Sequence, residues 1–132
     1  MPRQYVTREQ KLIHLTSRLK QAATRKHPKK IEITTSDLVE LWDKQRSRCA
    51  ITGLSLEVKT GGNWNGHQNP FVASIDRIDN TKGYVVGNVR LICWFWNHLK
   101  AKGTDQAVGR GLAEVICALA GNGMLGRLCD IK

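Results

Sequence analysis

The sequence predicts a small α+β domain, and three observations lead to this expectation. Leucine and alanine recur at helical spacing near both ends of the chain. Between them, residues 71–102 change to short β-rich segments followed by a helix. A length of 132 residues, with 41% hydrophobic and 24% charged residues, is typical of one globular domain and not of a disordered chain.

The N-terminal segment predicts an amphipathic helix. Thr7 with Gln10 three residues later is the pattern of a capping box, and the helix is expected from Thr7 to Lys26, before Pro28. Its apolar side is predicted to carry Leu12, Leu15, Leu19, Ala22 and Ala23. The other face is expected to carry basic residues: Arg8, Lys11, Arg18, Lys20 and Arg25.

The remaining elements are predicted from their composition. "TTSDLVELWDKQ" (34–45) indicates a second helix, "CAITGLSLEV" (49–58) is short and β-rich, and "KTGGNWNGHQNP" (59–70) is expected to be a loop. The first strand is predicted at residues 71–76, a turn at 80–84, and the second strand at 85–92, interrupted at Gly87. Two helices follow, at 93–102 and 104–120.

The net charge of +10 is concentrated at the N-terminus. Residues 1–30 contain nine Lys or Arg against one acid, which gives +8 and leaves +2 for residues 31–132. Such a basic segment before a nearly neutral body favours nucleic acid as the partner. The alternative is a solvated basic face without a partner. His14 and His27 are expected at the surface of this segment.

Targeting signals and cysteine usage indicate the compartment. Residues 1–11 lack the apolar core of a signal peptide, and no apolar run approaches the roughly 20 residues that span a bilayer. We therefore expect a cytoplasmic protein without a membrane partner. The four cysteines are expected to be reduced thiols there.

Polar residues stand at the ends of the predicted hairpin. Asp76 and Arg77 close the first strand, Asn88 opens the second, and Asn97 lies one turn into the following helix. If the helix packs across the hairpin, Asp76 and Asn97 converge and offer the oxygen ligands that Mg²⁺ prefers. Asn88 is expected to fix the loop through its side-chain amide.

"IDRIDNTKGYVVGNVRLICWFWNHLK" (75–100) resembles the HNH, or ββα-metal (His-Me finger), endonucleases, especially small phage and prophage members and some compact restriction enzymes with Asp-Arg. The resemblance implies a ββα-metal core over residues 71–102, with flanking N- and C-terminal helices. It also implies Asp76 and Asn97 as ligands of Mg²⁺, which Mn²⁺ can replace, and Asn88 as the residue that fixes the loop.

Two features depart from that family. Arg77 stands where the family has its general-base His, and a guanidinium does not accept a proton near neutral pH. Arg77 is expected to hold a phosphate instead. The base is then His67, Tyr84, Asp79 or metal-bound water, with His67 as the first choice. Both Cys-x-x-Cys pairs are halved, to Cys49 and Cys93, so a structural zinc is not expected.

The implied function is metal-dependent hydrolysis of phosphodiester bonds in double-stranded DNA, by nicking or, in a homodimer, by cleavage of both strands. RNA is the alternative substrate. A non-catalytic nucleic-acid-binding protein on a degenerate HNH scaffold is the main alternative function, and a phage structural protein is the third. The residues expected to contact phosphates are Arg8, Lys11, Arg18, Lys20, Arg25, Lys82, Arg90 and Lys100.

Overall fold

The computed structural model describes residues 5–25, 30–59, 69–100 and 104–121. This part of the chain contains four helices and one two-stranded antiparallel sheet, which confirms the predicted α+β class. The elements are α1 (Arg8–Ala23), α2 (Thr35–Lys44), β1 (Ala73–Arg77), β2 (Val89–Cys93), α3 (Trp94–Lys100) and α4 (Asp105–Gly121). The chain forms two compact units, Met1–Asn97 and His98–Lys132.

Helix α1 begins with the predicted capping box. The Thr7 hydroxyl accepts from the Gln10 backbone N–H, and the Gln10 side chain accepts from the Thr7 backbone N–H. The helix ends at Ala23, because the Thr24 backbone already departs from helical hydrogen bonding. Residue 26, the predicted end, lies outside the described residues.

The buried side of α1 includes polar residues. Lys11, His14, Leu15 and Ala22 are all buried. The prediction that Lys11 lies opposite the leucines is wrong, because the spacing of four residues between Lys11 and Leu15 puts both on one side of a helix. The expectation that His14 is a surface residue is also wrong, since only 4% of it is exposed.

Helix α2 packs against α1 and carries the centre of the core. It also starts with a capping box, between Thr34 and Asp37. Leu38 and Trp42 are completely buried. Two polar contacts join the helices: the ion pair between Lys11 Nζ and Asp43 Oδ1 at 3.2 Å, and the hydroxyl pair of Thr16 and Thr35 at 3.0 Å.

Strands β1 and β2 form the hairpin, with Ala73 opposite Cys93 and Asp76 opposite Arg90. The second strand starts four residues later than predicted. Gly87 has a φ of +88°, and this left-handed conformation belongs to a turn rather than to a strand. The predicted interruption at Gly87 therefore lies in the turn, and β2 begins to pair with β1 only after it.

The region before the hairpin is held by single bridges. Arg48 pairs with Ser55, and Glu57 pairs with Val72 in parallel orientation. Ser55 and Glu57 of the predicted β-rich segment 49–58 thus each form a single bridge, and the segment does not extend into a strand. Most of the predicted loop, residues 60–68 with His67, lies outside the described residues, and so does His27.

The second unit contains α4, for which residues 104–120 were predicted. The Thr104 hydroxyl accepts from the Ala107 backbone N–H at 3.2 Å, as expected of a residue that caps a helix. Val115 and Ile116 are more than half exposed. No helix in the described part of the chain is both long enough and apolar enough to cross a bilayer.

Candidate active site on the hairpin

One face of the hairpin carries polar side chains. Strand alternation puts Ser74 and Asp76 on the same face of β1, with Arg90 directly across from Asp76 on β2. The Arg90 Nε donates to Asp76 Oδ2 at 2.7 Å. Asp76 is 5% exposed, so its carboxylate lies in a largely buried ion pair.

Asn97 reaches the same face from α3. Its Nδ2 donates to the Ser74 hydroxyl oxygen at 2.7 Å. Ser74 precedes Asp76 by two residues, a separation of about 7 Å along a strand. The structure therefore puts Asp76 and Asn97, the two predicted metal ligands, on one face of the hairpin, with Ser74 as the direct contact of Asn97.

The donor set suits a hard divalent cation in its chemical type. Asp76 supplies a carboxylate, and the amide orientation of Asn97 leaves Oδ1 with no hydrogen-bond donor among the described residues. Both are oxygen ligands of the kind that Mg²⁺ takes. Arg90 already binds Asp76 Oδ2, so a cation here would share that carboxylate with a guanidinium. Within the described ranges no group of three or more His, Cys, Asp or Glu residues is placed to hold a metal.

Arg77 is built into the loop that joins the strands. Its Nη1 donates to the carbonyl oxygens of Asn80 and Lys82 at 2.8 and 3.0 Å. The guanidinium also lies over the Tyr84 ring, 5.3 Å from the centroid. Arg77 has no acidic partner among the described residues, so its charge is not neutralised within this unit. Its role as a phosphate clamp stays a prediction.

Asn88 fixes the loop as predicted. Its Oδ1 accepts from the Asp79 backbone N–H at 2.9 Å, and its Nδ2 donates to the carbonyls of Asp79 and Gly83 at 3.1 and 2.8 Å. These bonds engage both the oxygen and the nitrogen of the Asn88 side-chain amide, and Asn88 is 7% exposed. Asn88 therefore organises the loop and has no remaining group for direct chemistry.

The alternative bases differ in availability. The Asp79 carboxylate accepts from the Thr81 hydroxyl and backbone N–H, and these bonds lower its pKa. Tyr84 is 2% exposed beneath Arg77. Tyr84 is therefore shielded from solvent, Asp79 is a weaker base than an ordinary carboxylate, and His67 lies outside the described residues.

His14 is buried with both ring nitrogens occupied. Nε2 donates to the Ala73 carbonyl at 2.8 Å, and Nδ1 accepts from the Lys59 backbone N–H at 3.1 Å. Burial lowers its pKa to about 4, and nearby Arg18 and Lys59 add to this effect. His14 therefore joins α1 to β1 as a neutral ring. The signal for this in the sequence is helical spacing, because His14 lies three residues after Lys11, which is also buried.

The predicted phosphate contacts divide into two groups. Lys11 and Arg90 are in ion pairs with Asp43 and Asp76. In the second unit, the buried Lys100 is in an ion pair with Asp105, with 3.8 Å between Nζ and Oδ1. Arg18 is partly buried, and burial lowers its pKa. The four exposed members are Arg8, Lys20, Arg25 and Lys82. These four remain available to a polyanion.

The Asp76–Arg90 ion pair was not predicted. The pair follows from the strand register, because residues 76 and 90 are opposite each other when Ala73 is opposite Cys93. That register depends on an eleven-residue connection of irregular form, residues 78–88, whose length the sequence pattern did not define. No family model, curated protein or solved structure that was compared matches this chain.

Proposed function

We propose that this chain is a metal-dependent DNA endonuclease whose ββα-metal core consists of β1, β2 and α3. The observation that supports the proposal is the polar face of the hairpin. There Asn97 contacts Ser74, which lies two residues before Asp76 on the same face of β1. The loop fixed by Asn88 adjoins that face and agrees with the same assignment.

Asp76 and Asn97 would hold Mg²⁺, or Mn²⁺ in its place, through a carboxylate and an amide oxygen. The ion supplies Lewis-acid stabilisation of the negative charge on the phosphate oxygens. Arg90 keeps the Asp76 carboxylate oriented on the face. Arg77 is the last residue of β1, and alternation turns it to the face opposite Asp76. It would therefore offer its positive charge to a phosphate at the end of the strand, while its Nη1 remains bound to the loop carbonyls.

His67 is the proposed base, because Tyr84 is buried and the hydrogen bonds from Thr81 lower the pKa of Asp79 and make it a weaker base. It would take the proton of the attacking water, because a neutral imidazole accepts a proton near neutral pH. Asp79 and Tyr84 make contacts that stabilise the connection between β1 and β2.

Double-stranded DNA is the proposed substrate, and exposed cations would bind its backbone. Arg8, Lys20, Arg25 and Lys82 carry positive charge without ion pairs among the described residues. Each phosphate contact of this kind releases a counterion, so binding should weaken steeply with salt. One site cuts one strand, and cleavage of both strands would take a homodimer or a second encounter.

A second candidate function is nucleic-acid binding without catalysis. The observation that favours it is the engagement of Asp76 with Arg90, which neutralises the carboxylate that a metal would need. Under this alternative the hairpin is a scaffold and the exposed cations do all of the binding.

The test is cleavage of supercoiled plasmid DNA by the purified chain, with Mg²⁺, Mn²⁺ or EDTA. We expect nicking that requires metal and that falls by roughly 10³-fold in Asp76→Asn. Asp79→Asn is the matched control, because it removes a carboxylate of the same hairpin outside the polar face, and it should retain activity. His67→Ala should reduce the rate by roughly 10² or more.

DNA binding is measured on the same preparations. If the wild type binds DNA with a steep salt dependence but does not cut it with any metal, the endonuclease proposal is wrong and the binding function is supported. If Asp76→Asn and Asp79→Asn cut equally well, the polar face is not the active site.

A further inference from the structure

Two buried cysteines meet between the turn after α2 and the end of β2. Cys49 is 3% exposed and Cys93 is completely buried. The Cys93 backbone N–H donates to the Cys49 sulfur at 3.3 Å, and the Cys93 thiol is a hydrogen-bond partner of the same sulfur. The two side chains come from positions 44 residues apart in sequence.

The backbone holds this contact from both sides. The Ala50 N–H donates to the Leu91 carbonyl at 3.0 Å, which keeps the turn alongside β2. The Gly53 N–H donates to the Cys49 carbonyl at 3.0 Å, and Gly53 has a φ of +73° that closes the turn. The thiols are therefore brought together by the local backbone.

The Cys49 sulfur is placed to carry negative charge. In addition to the two groups of Cys93, the Thr52 backbone N–H donates to it at 3.5 Å. The hydrogen bond from the Cys93 thiol is the largest cause that lowers the pKa of Cys49 to about 4, against the opposing effect of burial. A thiolate is the nucleophilic form of cysteine, so the pair has one attacking sulfur and one resolving sulfur.

We propose that Cys49 and Cys93 are a modification site, at which a hydroperoxide oxidises the two thiols to an intramolecular disulfide. The Cys49 thiolate attacks the peroxide oxygen, the O–O bond breaks, and hydroxide (or an alkoxide) leaves as Cys49 becomes a sulfenic acid. The Cys93 sulfur then attacks the Cys49 sulfur, the S–O bond breaks, and water leaves with the Cys93 proton. With hydrogen peroxide, two thiols and one peroxide give one disulfide and two waters.

The bond would join the turn to the strand end and enclose residues 50–92, which include all of β1. The two sulfurs, already in hydrogen-bond contact, would close to the ~2.05 Å of a disulfide. Cys117 provides an internal comparison, because it is exposed on α4. This proposal is independent of the nuclease proposal and holds whether or not the chain cuts DNA.

The test treats the full reduced chain with hydrogen peroxide, unfolds it, alkylates the remaining thiols and maps the peptides by mass spectrometry. We expect a loss of two hydrogens, a crosslinked peptide pair containing Cys49 and Cys93, and reversal by dithiothreitol. Cys117→Ser should give the same link in the same yield. Cys49→Ser and Cys93→Ser should each abolish it.

The decisive readings come from the wild type, so a variant that fails to fold does not affect the result. The proposal is overturned if Cys49 and Cys93 stay fully alkylated while Cys117 is oxidised. It is also overturned if links to Cys117 are as abundant as the Cys49–Cys93 link. The oxidised chain should unfold at a higher urea concentration than the reduced chain, and a lower midpoint would show that the link is not compatible with the native contact.

Discussion

The two faces of the β1–β2 hairpin differ in polarity, although their residues alternate along the same two strands of five residues each. One face carries Ile75, Leu91 and Cys93, which are at most 7% exposed and belong to the core. The other carries Asp76, Arg90 and Ser74, which contacts Asn97, together with the buried Ile92 opposite Ser74. Alternation along a strand separates the faces by a single residue.

This comparison shows how the core controls the candidate active site. A slip of one residue between β1 and β2 would turn the apolar side chains to the polar face and separate Asp76 from Arg90. Burial of Leu91 and its neighbours opposes such a slip. The register needed by the polar face is therefore stabilised mainly by the apolar face, and the two can be tested separately.

The largest effect is expected on the apolar face. Leu91 is completely buried, so Leu91→Ala should lower the free energy of unfolding by about 3–4 kcal/mol through lost burial and a remaining cavity. Urea unfolding measures the change. Val86→Ala, at a position 75% exposed, is the control and should change stability by less than about 0.5 kcal/mol. Equal effects of the two variants would contradict the assignment of Leu91 to the core.

The next effect tests the polar face. Arg90→Leu leaves the Asp76 carboxylate buried without its guanidinium and should cost about 3 kcal/mol of stability. The double variant Asp76→Leu, Arg90→Leu should recover most of that loss, because no charge then remains buried. Glu32→Gln opens the exposed pair with Lys30 and should leave the urea midpoint unchanged. If the double variant is as unstable as Arg90→Leu, the cost is one of packing and not of charge.

A pH effect sharpens the comparison through His14, which supports β1 from α1. The pKa of His14 is lowered from 6.5 to about 4 by burial, so the unfolded chain binds a proton at a higher pH than the folded chain does. This contribution to stability is present above pH 6.5 and is lost as the pH falls towards 4. Between pH 7 and pH 5 the loss should be about 2 kcal/mol. Urea unfolding measured at several pH values in this range should give a free energy of unfolding that changes less with pH in His14→Gln than in the wild type. An equal pH dependence in both would exclude His14 as the cause.

The smallest effect on stability is expected at Asn97. Asn97→Ala loses one part-buried hydrogen bond to Ser74 and should cost about 1 kcal/mol. Under the endonuclease proposal the same variant should lose most of its metal-dependent nicking, whereas Asn97→Asp keeps an oxygen ligand and should retain more. A variant with reduced stability and full activity would remove Asn97 from the site.

The features predicted correctly depend on residues that are near one another in sequence. The capping box at Thr7, the start of α2 and the loop-fixing role of Asn88 each involve partners within nine residues. Local hydrogen-bonding chemistry is enough to identify them, because turn and cap residues act on adjacent backbone.

The features that were missed depend on distant partners. Lys11 binds Asp43, 32 residues away, and His14 binds Ala73, 59 residues away. A basic residue on a helix is expected to be solvated unless a carboxylate from another element reaches it. The Asp76–Arg90 pair likewise required the strand register. The sequence thus indicated residues of the candidate site but not the pairing that the structure gives them.

The loop fixed by Asn88 has a consequence for backbone exchange with solvent. The Ile78 and Asp79 N–H groups bind the carbonyl and side chain of Asn88, and the Asn88 N–H binds the Val85 carbonyl. These amides should exchange hydrogen for deuterium at rates close to those of β1 and β2, although they lie outside both strands. The connection would thus open together with the hairpin as one cooperative unit, and an insertion between residues 79 and 88 should loosen the strands as well.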